Sequence, residues 1–188
     1  IKNANYYYII ISVFILLVTI QLRAIRWKVI LGEKIETNNL YIAQLIGYMG
    51  NNLLPLRFGE LLKSFYLEKK IKISKYKIFG SVILERVLDL FGVVIMFILL
   101  FNFRLFNKIN TLYSNMIIII IIFSLIALFI SFYLTNTNKF LLKNKFSILI
   151  NDLLKGFSSL KVNNLLPVFI ITLFIWINYI LVVYFVQK

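Results

Sequence analysis

Residues 50–63 read GNNLLPLRFGELLK, and this stretch decides how the chain can fold. It interrupts an apolar run from Leu40 to Leu67 that is otherwise long enough to cross a bilayer. Pro removes a backbone hydrogen-bond donor and Gly loosens a helix, so a continuous helix through this run is disfavoured. The stretch also carries Arg57, Glu60 and Lys63. Because ionisable groups at membrane depth persist only when they are paired or face a polar cavity, these residues are a candidate functional site.

The composition places the chain among integral membrane proteins. Of its 188 residues, 61% are hydrophobic and only 15% are charged, whereas a soluble domain of this size needs more polar surface. The net charge is +14. The basic residues cluster in short segments between apolar runs, where they set membrane topology and contact anionic lipid headgroups. Nucleic-acid binding is therefore not expected.

The chain contains no Cys and no His. The absence of Cys excludes disulfides, thiolate nucleophiles and thiolate metal sites. The absence of His removes the commonest general base and metal ligand. Ser-His-Asp chemistry and zinc hydrolysis are excluded within this sequence. We therefore expect no catalytic residue, no metal and no cofactor in it, and an enzymatic activity of this segment is disfavoured.

The apolar runs predict an all-α, polytopic membrane helical bundle with about four spanning helices. A surface helix is also expected, because residues 139–161 place apolar side chains at helical spacing among polar ones. The whole of residues 1–188 is interpreted as a single transmembrane domain, a fragment truncated at both ends. The predicted spans are Tyr6–Leu22, Ile78–Phe101, Met116–Leu134 and Leu165–Val186.

The interrupted run is predicted to be a re-entrant helical hairpin. Basic segments flank it on both sides, at residues 23–36 and 68–77. If the basic segments 23–36, 68–77 and 139–161 are all cytoplasmic, both ends of the run lie on one side of the membrane. Broken backbone at membrane depth is tolerated only where protein or a water-filled cavity surrounds it, so the break should line a cavity.

A second charged cluster, Glu85, Arg86 and Asp89, opens the next apolar run. Together with the first cluster it gives three positive and three negative groups. Two interpretations stay open: the clusters face each other across a polar groove that takes a lipid headgroup, or they form a structural ion-pair lock. In the first, Arg57 or Lys63 binds a phosphate. The candidate set for this polar path is Asn51, Asn52, Pro55, Arg57, Glu60, Lys63, Glu85, Arg86 and Asp89.

Three further side chains, Arg23, Arg26 and Trp27, follow the first apolar run. A basic cluster that carries a Trp is typical of a helix end at the membrane–water interface. We interpret these residues as interface anchors rather than as part of a substrate site.

The order of three sequence blocks resembles the transmembrane, flippase-like region of the lysylphosphatidylglycerol synthase family, from about Gln21 to the end of the chain. The blocks are Arg26-Trp27, residues 50–60 with the basic Lys63, and residues 85–89. The resemblance implies an inner-membrane protein whose helical bundle handles or translocates lipids. Lys63 stands where members often have Arg, which keeps the charge but loses the bidentate fork. The family's synthase activity belongs to a soluble transferase domain, which this sequence does not contain.

Lipid binding or lipid translocation is therefore the expected function, with anionic phospholipids or polyprenyl-phosphate lipids as partners. Family relatives occur fused to a cytosolic aminoacyl-transferase domain, alone, or linked to glycan and polyprenyl-phosphate pathways. Two alternatives follow. One is a membrane transferase with Glu85 or Asp89 as base, and the other is an accessory subunit of a lipid-linked glycan pathway that holds a membrane or soluble enzyme partner.

Overall fold

The computed structural model of this chain describes residues 6–32, 35–55, 58–102 and 145–187, together with single helical positions between 119 and 133. Every regular element in the described residues is a helix, as the sequence predicts. A short 3₁₀ turn, Val162–Asn164, precedes the last helix. The helices are α1 (Tyr6–Leu31), α2 (Thr37–Leu53), α3 (Gly59–Ile71), α4 (Lys75–Asn102), α5 (Lys145–Phe157) and α6 (Leu165–Val186).

Two helical segments in the described part of the chain are long and apolar enough to cross a membrane: Tyr6–Leu31 and Val162–Val186. The predicted last span, Leu165–Val186, coincides with α6. The prediction that the first span ends at Leu22 is wrong, because α1 continues to Leu31 and reaches about 39 Å at 1.5 Å per residue. The predicted span Met116–Leu134 lies mostly outside the described residues.

Helices α2 and α3 form the predicted hairpin, with the break where the sequence places it. Leu54 adopts an extended conformation that ends α2, and α3 begins at Gly59. The two helices touch backbone to backbone: a Cβ on Gly59 would overlap the Gly47 carbonyl oxygen, and one on Gly50 would lie 2.8 Å from the Gly59 Cα. Glycine at these positions therefore sets how closely α2 and α3 can approach. Whether the hairpin re-enters the membrane stays a prediction.

The apolar core joins the hairpin to α1 and α4. Trp27 is fully buried at its centre, and the Trp27 indole Nε1 donates a hydrogen bond of 2.9 Å to the Ser81 hydroxyl. A second buried cluster connects α1 and α4 to the start of α6. The first cluster is Ala24, Trp27, Leu31, Ile35, Leu40, Ala43, Leu67, Ile78 and Val82, and the second is Ile30, Leu84, Leu88, Leu160 and Val168.

Helix α5 covers the middle of the predicted surface helix 139–161. It packs against the first half of α4 through Gly80 and Gly156, where an added Cβ would overlap the carbonyl oxygens of Leu153 and Lys77 respectively. Other side chains of α5, among them Lys155, are exposed. The helix is thus fixed to α4 by a close backbone contact, and its position on a membrane surface stays a prediction.

Candidate functional site

Seven charged side chains from α1, α3 and α4 form one connected set of ion pairs. Six of them close a ring in which acidic and basic groups alternate, and the seventh, Arg23, is attached to the ring through Asp89. We call these seven side chains the ionic network. In ring order the six are Asp89, Arg26, Glu85, Lys63, Glu60 and Arg86.

Asp89 joins α1 to α4. Its Oδ1 lies 2.8 Å from Arg26 Nη2, and its Oδ2 lies 3.1 Å from Arg23 Nη1. Arg86, one turn earlier on α4, places Nη1 3.2 Å from the same Oδ2. The carboxylate therefore accepts hydrogen bonds from three guanidinium groups, and charge-assisted bonds of this kind are the strong ones.

Glu85 joins the hairpin to the same two helices. Its side chain is only 1% exposed, and its Oε2 lies 2.9 Å from the Lys63 ammonium while its Oε1 lies 3.6 Å from Arg26 Nη2. Gln44 on α2 donates a hydrogen bond of 3.3 Å from Nε2 to Glu85 Oε1. The Lys63 Nζ also lies 4.7 Å from the centre of the Trp27 ring, a cation–π contact.

Glu60 and Arg86 form the outer edge of the network. One Glu60 oxygen pairs with Arg86 Nη2, and the other lies 3.2 Å from Lys63 Nζ. The Arg86 side chain is 38% exposed, while the other six side chains are between 0% and 13% exposed. Arg86 is therefore the most accessible side chain of the network.

Two cavities lie beside this outer edge. A small polar cavity of about 10 Å³, just enough for one water molecule, is lined by Gln44, Gly47, Tyr48, Asn51, Glu60, Lys63 and Arg86. An open cavity of about 280 Å³ is lined by Phe58, Glu60, Leu61, Phe79, Val82, Ile83 and Arg86. The two charged clusters are in direct contact through the Lys63–Glu85 and Arg86–Glu60 pairs, and both interpretations of them, a groove for a lipid headgroup and a structural ion-pair lock, stay predictions.

The protein-family model described as "Lysylphosphatidylglycerol synthase TM region" matches residues 1–188, which is the whole chain. The chain belongs to this family. Its charged ring therefore sits in a lysylphosphatidylglycerol synthase transmembrane region, and the protein is a membrane protein. The sequence-based assignment to this family is confirmed.

Curated relatives of this family member are archaeal membrane proteins. A UPF0104 membrane protein of Methanocaldococcus jannaschii is 31% identical over 135 residues, covering 68% of this chain and 40% of the relative. A UPF0104 membrane protein of Pyrococcus horikoshii is 28% identical over 152 residues, covering 78% and 43%. The chain thus spans less than half the length of these two relatives. No solved structure matches it.

Five residues of the predicted polar path meet in this family member as expected: Glu60, Lys63, Glu85, Arg86 and Asp89. Asn51 lines the small polar cavity, and its buried Oδ1 has no hydrogen-bond partner. Asn52 and Pro55 are exposed at the hairpin break. Arg57 lies outside the described residues.

The interpretation of Arg23, Arg26 and Trp27 as interface anchors is wrong. All three are buried, and Arg26 and Trp27 are completely inaccessible. Residues 23–31 are helical rather than a basic loop, because Asp89 pairs with both arginines and lets α1 continue. Their spacing of three, which puts both on one helix face, was the available signal.

Sequence reasoning also missed the polar residues that support the arginines. Arg23 Nε donates a hydrogen bond of 3.0 Å to the Tyr179 hydroxyl, which lies 3.2 Å from the Tyr48 hydroxyl. Arg26 Nη1 donates one of 3.2 Å to Thr172 Oγ1. These contacts bring α6 and α2 to the network, and nothing in the apolar pattern of α6 indicates them.

The network has a charge excess and offers no metal site. Four cations face three carboxylates, so one positive charge is left without a counter-charge inside this set. Among the residues that the structure describes, no group of three or more acidic, Cys or His side chains could hold a metal ion. The arrangement therefore favours an anionic ligand over a cation.

Proposed function

We propose that this protein is a lipid-binding and lipid-translocating module of a cell membrane, and that the ionic network is the path of the lipid headgroup. The single observation that supports this most strongly is the ionic network of seven charged side chains, six of them no more than 13% exposed, among the helices of a membrane protein. Such groups are costly in a membrane interior, and a packed apolar core would hold these helices together without them.

Alternation of charge around the ring supports a path for the headgroup rather than a fixed lock. Each carboxylate has at least two cationic partners, so one pair can open while the second keeps the carboxylate neutralised. A lipid phosphate can then take the place of one carboxylate, and a cationic headgroup part can take the place of one cation. The proposed substrates are anionic phospholipids or polyprenyl-phosphate lipids, in agreement with the excess positive charge.

The proposed location is the inner membrane, with the basic segments on the cytoplasmic side. Lys69, Lys70 and Lys72 at the end of α3 and Lys75 at the start of α4 lie at the turn between these helices. Gly156 of α5 touches the Lys77 carbonyl oxygen, which brings α5 to the same end of the molecule. Basic segments at one end support this orientation.

Lipid movement between leaflets tests the proposal. The full-length protein is reconstituted in vesicles with labelled phosphatidylglycerol or a labelled cationic lipid, and wild type is compared with Glu85→Gln and with Asp152→Asn as control. Asp152 pairs with Lys155 on α5, away from the ring. We expect movement in wild type and in the control, and its loss in a folded Glu85→Gln protein. Wild-type movement in Glu85→Gln would leave the ring with a structural role only.

A further inference from the structure

The small polar cavity and the open cavity share one ion pair. Among the described residues that line them, only Glu60 and Arg86 line both. This pair therefore borders both the open cavity of about 280 Å³ and the small polar cavity, whose lining includes Lys63.

The lining of the open cavity combines two kinds of side chain. Five are apolar, Phe58, Leu61, Phe79, Val82 and Ile83, and the other two are the Glu60–Arg86 pair. Arg86 is the most exposed member of a network that carries one excess positive charge. Apolar side chains beside a guanidinium fit an amphiphile that carries a phosphate, because the guanidinium binds the phosphate and the apolar lining contacts the hydrocarbon part. A free phosphate ion would gain nothing from the apolar lining.

We infer that this open cavity binds a phosphate-bearing amphiphile, and that Arg86 exchanges Glu60 for the phosphate. The inference rests on the proposed function and names its first binding step. Arg86 is then the residue that receives the headgroup, and Glu60 is the internal competitor that keeps the network closed without a ligand.

The geometry lets this exchange occur without stranding a charge. When Arg86 leaves Glu60, the Glu60 carboxylate keeps Lys63, whose Nζ lies 3.2 Å from Oε2. Arg86 in turn keeps Asp89 at 3.2 Å while it takes the phosphate. Both partners retain an opposite charge, and at 38% and 13% their side chains are more exposed than those of Lys63 and Glu85, at 3% and 1%. Opening this pair therefore costs less than opening the buried Lys63–Glu85 pair would.

Equilibrium binding tests the exchange. Dioctanoyl phosphatidylglycerol, inorganic phosphate and uncharged dioctanoylglycerol are titrated into the full-length protein in maltoside micelles, and bound molecules are counted by native mass spectrometry. We expect the phospholipid to bind wild type. Arg86→Gln should weaken that binding about tenfold or more, because a charge-assisted contact is lost. Glu60→Gln should strengthen it roughly two- to fivefold, because the competitor is weakened.

Two variants of the exposed Lys155–Asp152 pair match these changes in charge. Lys155→Gln removes one positive charge and Asp152→Asn removes one negative charge, both on α5. We expect each to bind the phospholipid as wild type does. Opposite effects of Glu60→Gln and Arg86→Gln, absent in the controls, support the exchange.

Other results overturn it. Equal weakening by both ring variants would show that the pair is only a structural lock, and equal binding of inorganic phosphate would rule out the amphiphile. Wild-type phospholipid binding in folded Arg86→Gln, with lipid movement intact in vesicles, would overturn this inference and leave the proposed function standing. Phospholipid binding as expected, without any lipid movement in vesicles, would support this inference and would refute translocation as the proposed function.

Discussion

Glu85 is the residue on which the inner half of the network depends. Glu85→Ala should lower the free energy of unfolding by about 3 to 5 kcal/mol, because it takes the closest partner from the buried Lys63 ammonium and a second partner from Arg26. Chemical unfolding in micelles measures the loss.

The double variant Glu85→Leu/Lys63→Met distinguishes the cost of leaving Lys63 without its ion-pair partner from the cost of changing the side-chain packing. Replacing both partners of a buried ion pair by apolar side chains is often neutral or stabilising, so the double variant should recover most of the stability lost in Glu85→Ala. The other three ring pairs, Glu60–Arg86, Arg86–Asp89 and Asp89–Arg26, remain in it. A double variant as unstable as the single one would contradict the pairing described here.

At the scale of elements, the hairpin depends on the glycines that let α2 and α3 touch. Gly59→Ala should destabilise the protein by up to about 3 kcal/mol, because the new methyl group overlaps backbone atoms of Gly47 and Asn51 that cannot move aside. Hydrogen exchange should rise across residues 37–71.

Gly32 provides the matched control for the hairpin. It has a φ of 63° and no atom within 4 Å of an added Cβ, so Gly32→Ala costs about 1 to 2 kcal/mol through backbone strain alone. Exchange within residues 37–71 should stay at the wild-type rate in this variant. Equal exchange profiles for the two variants would refute the role of the glycine contact.

The packing of α5 against α4 also depends on a glycine. Gly156→Ala should push α5 from α4, because the methyl group overlaps the Lys77 carbonyl oxygen. We expect faster hydrogen exchange in α5, with unchanged exchange in α2 and α3. The exposed neighbouring change Lys155→Gln should leave all of these rates as in wild type. Slow exchange of α5 in Gly156→Ala would show that other contacts hold it.

At the scale of the whole molecule, the absence of Cys allows topology to be measured with single engineered cysteines. Ser74→Cys, before α4, and Ser158→Cys, after α5, should react with an impermeant thiol reagent from the cytoplasmic side only. Asn52→Cys, at the hairpin break, should not react from that side if the hairpin re-enters the membrane. Reaction of Ser74→Cys and Ser158→Cys from opposite sides would refute the shared basic end.

Local features of the sequence determined the membrane class, the family, the break between α2 and α3 and five members of the network. Each of these depends on composition or on residues close together in the chain: the break falls at Pro55, between Gly50 and Gly59, and Glu85, Arg86 and Asp89 share one stretch of α4. The helix type of all described elements follows from the same apolar runs.

Only the tertiary structure decided that Arg23 and Arg26 belong to the site and that the network is closed. Arg26 and Asp89 are 63 residues apart, and no spacing rule tells which helices will pack together. A basic pair after an apolar run is typical of a membrane interface, and it becomes interior only because α4 supplies a carboxylate at that depth. The small polar cavity likewise follows from how α2, α3 and α4 pack, which depends on side-chain volumes across the whole bundle.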